Sequence, residues 1–427
     1  MTIQAGLRIA GGLLLLSGMP RLGAQEIPLR AGLAKADLTP SGSMQMYGYA
    51  NRRCGPSNGV HDPLYAKVLL LEAGNTRLAI VTLDLGSMIS PALRDGVAQK
   101  LGIPILLLAA SHTHSAPAFL PPAEATPYQA EIEKKIFDAV GQAASHMFPA
   151  RLAVGRGSLQ AGYNRLLMRE DGRARALFDN LERIPYGPVD PEYVVLRVDD
   201  ETGAARAVLV HYAAHAVVLG PANCKVSADY PGVLQAKVES EMPGVQCMFV
   251  QGGAGDINPL FMARSGKEDE DFLVVRKMGG LLAAAVVKAA KESKPLASNR
   301  HPIQHKSAVL KFGERWEKDK TVEVGITTVL INREIAIAAV PGEPMHKLQT
   351  QWKQRADVAV PLFYGYTYSS GGTWPGYIPD LRTAAYGGYG ADASTRIEVG
   401  AGEAIMERHL IHLYDMLGMW RDKPGRP

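Results

Sequence analysis

A mixed α/β fold in one large domain, with a β-sheet core flanked by helices, is predicted by three observations. Short apolar runs alternate with stretches of helical periodicity along the chain. Two neighbouring runs, 67–72 and 78–84, flank Gly74-Asn75 as the arms of an antiparallel hairpin do, so the sheet is mixed. The 427 residues contain no interior linker, repeat or low-complexity tract at which to divide them. Strands are placed at 67–72, 78–84, Ile105–Ala110, 151–155, 193–198, 207–212, 245–251 and Ile335–Ala339. Helices are placed at Pro91–Leu101, 129–147, 232–242 and 272–293, where apolar residues recur at helical spacing between acceptable starts and stops. Residues 361–392 depart from both patterns. Tyr and Gly dominate there, which marks a long ordered loop shaping the mouth of a pocket.

Composition narrows the class. A chain that is 47% hydrophobic and 21% charged can bury a sizeable core. The formal charge of +4 is small and scattered among acidic residues, so no nucleic-acid partner is expected. Arg8, the apolar stretch 9–19 and the small-residue end Leu22-Gly23-Ala24 read as a secretory signal peptide over 1–24. The mature domain, 25–427, is then periplasmic or secreted, with at most peripheral membrane contact. Cys54, Cys224 and Cys247 allow at most one disulfide, and the sequence leaves open whether Cys224 and Cys247 pair.

Chemistry-bearing residues gather where predicted strands end. Ile105–Ala110 runs into Ser111-His112-Thr113-His114-Ser115. On extended backbone alternate residues point the same way, so His112 and His114 can converge on one centre as metal ligands or acid–base groups. The plainer reading is two histidines satisfied by loop hydrogen bonds. A second strand ends in His211-Tyr212-Ala213-Ala214-His215; His211 lies inside the strand as a structural histidine, whereas His215 sits at its exit. A third runs into Gly252-Gly253-Ala254-Gly255-Asp256-Ile257-Asn258-Pro259, a turn with no phosphate-loop or dinucleotide signature. A fourth ends at Pro341-Gly342-Glu343, where the carboxylate in isolation reads as a helix cap. Tyr377 and Tyr389 in isolation read as aromatic packing.

Taken in order, these motifs resemble the neutral (alkaline, non-lysosomal) ceramidase family. The matching points are His112-Thr113-His114-Ser115, Tyr163-Asn164-Arg165, His215, Gly255-Asp256-Ile257-Asn258-Pro259, Pro341-Gly342-Glu343 and Tyr377 with Tyr389. The resemblance implies one catalytic Zn²⁺ per chain, with His112, His215, Glu343 and Tyr377 as ligands. It further implies that His114 is the acid–base histidine, and that Arg165 and Tyr389 hold the substrate's polar head and carbonyl oxygen. Such a site suits attack by metal-activated water on an amide, of a sphingolipid or another lipid-like or small amide. Two departures accompany it. Asn258 stands where the family carries serine, which excludes a serine acyl route and leaves Asn258 as a hydrogen-bond donor to an oxyanion. The chain ends at Pro427, so no C-terminal Ig-like domain is expected, which weakens the case for ceramide itself. The competing expectations are a zinc-dependent esterase or lactonase, or a non-catalytic envelope binding protein of the same fold.

Overall fold

The computed structural model describes residues 26–118, 126–297 and 300–420. The signal-peptide reading of 1–24 lies outside these residues. Eight long strands form most of the larger sheet: β1 (Leu29–Asp37), β2 (Tyr65–Ala73), β3 (Thr76–Leu83), β4 (Ile105–Ala110), β5 (Phe148–Ser158), β6 (Glu192–Asp200), β7 (Ala205–Tyr212) and β8 (Gln246–Gln251). Their spatial order is β8-β7-β6-β5-β1-β2-β3-β4, with Thr367–Tyr368 beyond β4. The pairs β3/β4 and β7/β8 are parallel and the rest antiparallel. A second sheet, unforeseen as a separate layer, holds β9 (Gln304–Gly313), β10 (Thr321–Ile331), β11 (Ile335–Ala339) and β12 (Val360–Tyr364).

Alternation along the strands explains why the sheets stack. Leu69, Leu71, Ile80, Leu107 and Val250 point one way and share a core with Val329, Ile337 and Leu362 of the second sheet. The intervening Val68, Leu70, Val81, Leu106 and Leu108 point the other way, against α1 (Pro91–Leu101) and α2 (Pro127–Ser145). Helices α3 (Asp229–Glu241) and α4 (Glu268–Lys291) cover the same face beneath β6–β8. The outer face of the second sheet is closed by α5 (His346–Arg355) and α7 (Ala401–Met416), with the short α6 (Leu381–Tyr386) between them in sequence. The result is helix, sheet, sheet, helix. Both faces of β4 are buried, so its continuous apolar sequence follows. Each such side chain contributes about 1.5–3 kcal/mol on burial. No helix among the described residues is long and apolar enough to cross a membrane.

The cysteines resolve differently from the pairing left open above. Cys54 bonds Cys224 across 170 residues, and Cys247 is buried and free, its thiol pushed up to about 12 by burial. The disulfide pins the segment that follows residues 46–50 to the loop after β7. Cys54→Ser should destabilise the fold by about 2–5 kcal/mol in reversible denaturant unfolding, because the cross-linked chain loses less entropy on folding. An unchanged midpoint would remove the cross-link from the stability account.

Candidate metal centre and its cavity

Although β4 and β7–β8 lie toward opposite ends of the strand order, their exits meet at the site. Gln251, the last residue of β8, clamps both histidine-bearing exits. Its Nε2 donates to Ser111 O (3.1 Å) and Ala214 O (2.7 Å), and its Oε1 accepts from Ala214 N (3.0 Å). Past Ser111 the chain turns through His112 at φ +63°, a left-handed conformation that a non-glycine residue adopts at a cost of about 1 kcal/mol. The His112 N–H still donates to Leu85 O at 3.0 Å, and His215 N–H to Ile257 O at 2.9 Å.

Backbone carbonyls fix both rings. His112 Nδ1 lies 2.6 Å from Gly86 O, and His215 Nδ1 lies 2.6 Å from Ala254 O. A carbonyl only accepts, so each Nδ1 carries a proton and each Nε2 faces inward. Those Nε2 atoms lie 3.2 and 3.1 Å from the same oxygen, Glu343 Oε2. The His114 Nε2 stands 3.3 Å from His112 Nε2. Nitrogens of His112, His114 and His215 all fall within 4.8 Å of one another.

This donor set fits a cation. Burial lowers the His215 ring to about 4, with Arg165 adding to the shift, and burial lowers His114 well below the usual range. Burial alone would raise the Glu343 carboxyl, but the His112 and His215 rings more than offset it and hold it well below ordinary. With Glu343 held as an anion and the His114 and His215 rings pushed toward the neutral form by burial, the pocket gathers donors suited to a cation. Two or three imidazole nitrogens and a carboxylate are ligands of the kind Zn²⁺ takes.

Glu343 and Tyr377 arrive as register partners. The short strands Glu343–Pro344 and Tyr377–Ile378 pair in parallel, Glu343 opposite Tyr377. Gly342 permits the approach: at φ +77°, an added Cβ would fall 2.5 Å from Gly376 O. Burial and the Glu343 carboxylate raise the Tyr377 hydroxyl well above its usual range. The hydroxyl accepts from Arg165 Nη2 at 3.0 Å.

Arg165 and Asn258 stand behind the cavity wall instead of in it. Arg165 also donates to Gly255 O (2.6 Å) and Asn258 Oδ1 (3.1 Å), and its guanidinium carbon lies 5.4 and 5.3 Å from the Tyr377 and Tyr389 ring centres. Asn258 is 2% exposed and spends its Nδ2 on Phe178 O at 3.3 Å. That places it as a holder of Arg165, where the sequence suggested an oxyanion donor. Asn258→Ser should keep kcat/KM within about tenfold, the worth of one hydrogen bond, and serine-directed acylating reagents should not inactivate the natural chain. Stoichiometric labelling with loss of activity would overturn this. Asp256 of the same motif is structural: Oδ1 accepts from His346 N (2.8 Å), capping α5, and Oδ2 lies 2.6 Å from His346 Nδ1. His211 is likewise structural, with Nε2 2.7 Å from Phe363 O.

The cavity in front measures about 860 Å³. His112, His114, Glu343, Tyr377 and the partly exposed Tyr389 line it. Trp374 and Thr373, from the Tyr/Gly-rich stretch singled out in the sequence, form part of the same wall. Residues 46–50 and 87–89 were not foreseen. Tyr47 and Tyr49 set their rings edge-on to His114, with centroids at 5.6 and 4.8 Å. Gly48, at φ +96°, leaves the room that His114 occupies: a Cβ there would lie 2.2 Å from the ring. Gly86 and Gln251 were also missed. Only Gln251 carried a signal, a polar residue closing an apolar strand before Gly-Gly.

Comparison with known proteins agrees with this geometry. The family model described as neutral/alkaline non-lysosomal ceramidase, N-terminal, matches residues 29–273. The neutral ceramidase from Pseudomonas aeruginosa superposes with a TM-score of 0.74 at 17% identity, over 94% of this chain and 76% of that one. A ceramidase complexed with C2 gives 0.75 at 16% identity, over 94% and 77%. At such identities the structural likeness speaks for the fold, whereas the family match spans more than half of the sequence; the chain belongs to the neutral/alkaline non-lysosomal ceramidase family.

Proposed function

We propose that the chain is a zinc-dependent hydrolase of amide (N-acyl) bonds, acting on a sphingolipid or another lipid-like or small amide. The observation that carries the reading is the buried Glu343 carboxylate facing the inward Nε2 atoms of His112 and His215 at the floor of an 860 Å³ cavity. His112, His215, Glu343 and Tyr377 would hold the ion, with His114 adjacent. Zn²⁺ supplies Lewis acidity there, acidifying water and polarising the amide carbonyl. The chain's own residues do the rest. Gly86 O and Ala254 O keep the two ligand rings in one tautomer, the role outer-shell carbonyls play at metal sites. His114, neutral because it is buried, would accept a proton from the attacking water and pass it to the leaving amine. Arg165 orients the Tyr377 hydroxyl, and Tyr389 at the rim offers a hydroxyl to the developing oxyanion.

Export belongs to the same reading. The signal-like N-terminus and the Cys54–Cys224 bond both suit an oxidising, periplasmic or extracellular setting. The test is hydrolysis of an N-acyl sphingosine and a short N-acyl amine, with and without a zinc chelator. Chelator-sensitive release of the amine is expected from at least one. Failure of zinc-loaded protein on both would overturn the amidase reading and turn attention to esters.

A further inference from the structure

One wall of the cavity carries a charge that amide cleavage does not use. Among the described residues lining it, Arg396 is the sole guanidinium or ammonium group, and Glu343 at the metal centre is the sole carboxylate. Arg396 is anchored by its backbone: its N–H donates to Pro375 O (3.2 Å) and its carbonyl accepts from Arg315 N (3.0 Å). The neighbouring bridge Gly376↔Thr395 ties this segment to the one bearing Tyr377. The backbone at Arg396 is thus tied to the ligand loop. Its Nε makes a long contact of 3.4 Å with Glu314 Oε1, and its side chain is half exposed. The Nη edge takes no further protein partner among the described residues, so a planar donor pair faces solvent at the rim. The lining also includes the apolar Met46, Met88, Ile89, Pro91 and Ala118. An amide seated over Glu343 then finds apolar lining for its acyl chain and, beyond its pairing with Glu314, a guanidinium edge for its amine half.

We propose that the substrate's amine half bears an oxyanion, a carboxylate or sulfonate, bound by Arg396. The inference rests on the amidase reading and narrows it to N-acyl amino acids and their sulfonate counterparts, in place of a neutral head group. A charge-assisted contact at a half-exposed site discriminates by about tenfold, and screening by salt reduces it.

The test compares N-lauroylglycine, N-lauroyltaurine and neutral N-lauroylglycinamide on zinc-loaded protein, in turnover and in calorimetric binding. The expected result is a kcat/KM for at least one anionic probe about tenfold above that for the amide, carried mainly by KM and shrinking with added salt. Whichever of glycine or taurine leads identifies carboxylate or sulfonate as the source. Arg396→Gln should abolish most of that ratio, and Arg396→Lys should restore part of it. Equal Kd and equal kcat/KM for charged and neutral probes would overturn the proposal while leaving the amidase reading intact. Turnover of none of them, with tighter binding of an anionic probe that Arg396→Gln removes, would retain the anion site and sink the amidase reading instead.

Discussion

Replacing His112 by alanine should abolish metal retention and turnover together while leaving the far-ultraviolet spectrum intact. The ring supplies an Nε2 held at 3.2 Å from Glu343 Oε2, and no other imidazole in the site has its carbonyl-fixed position against Gly86. Loss of one ligand from a Lewis-acid site is expected to lower kcat/KM on the order of 10³-fold. The core beneath His112 is made by β4, whose side chains the substitution does not touch, so stability should change little. Metal content after dialysis and the rate on the same sample are the two readings. A protein that kept its ligand affinity after losing His112 would be a binding module, and the hydrolase proposal would fall.

Gly48→Ala should be the most damaging small substitution in the cavity wall. The added methyl would sit 2.2 Å from the His114 ring, and the backbone at φ +96° already disfavours any side chain. The backbone strain alone costs about 1–2 kcal/mol, and the collision must be relieved by moving His114. A displacement near 1 Å at an acid–base group lowers turnover on the order of 10²-fold. Metal content should hold, since His112, His215 and Glu343 lie outside the clash. Unaltered rates at normal metal loading would remove His114 from the proton path.

Two strands buried on both faces were among the elements legible in the sequence. Ile105–Ala110 and Ile335–Ala339 fall where continuous apolar runs placed them, because no polar residue interrupts a doubly covered strand. Strand β1, Leu-Arg-Ala-Gly-Leu-Ala-Lys-Ala-Asp, was missed: alanine and glycine give it little strand propensity, and its place is set by pairing with β2 along nine positions. Strand β9 pairs only with β10 and is largely exposed, so it alternates polar and apolar residues weakly. With β9, β10 and β12 all left unplaced, the second sheet could not be separated from the first. Helix α5 starts without a local side-chain cap, since Asp256, ninety residues earlier, supplies it.

The same division holds in the site. His112 and His215 were legible because they follow apolar strands, whereas Glu343 read alone as a helix cap and joined them only through the family resemblance; the structure brings all three within contact. Tyr47, Gly48 and Gly86 were not: each acts through ring packing, an absent side chain or a carbonyl, and none of these has a signature in local sequence.

The register pairing of Glu343 with Tyr377 has a consequence for biogenesis. The imidazoles come from residues 112–215, the carboxylate and phenol from the last third of the chain, and the two sheets must stack before they meet. Such long-range closure is slow to form and late in assembly. A chain emerging from synthesis would display paired histidines with no carboxylate to complete them, so under the proposed zinc reading only a finished chain would retain the ion. Capture of metal could then serve as a clock for maturation, separating folded chains from those still waiting for their C-terminal segment.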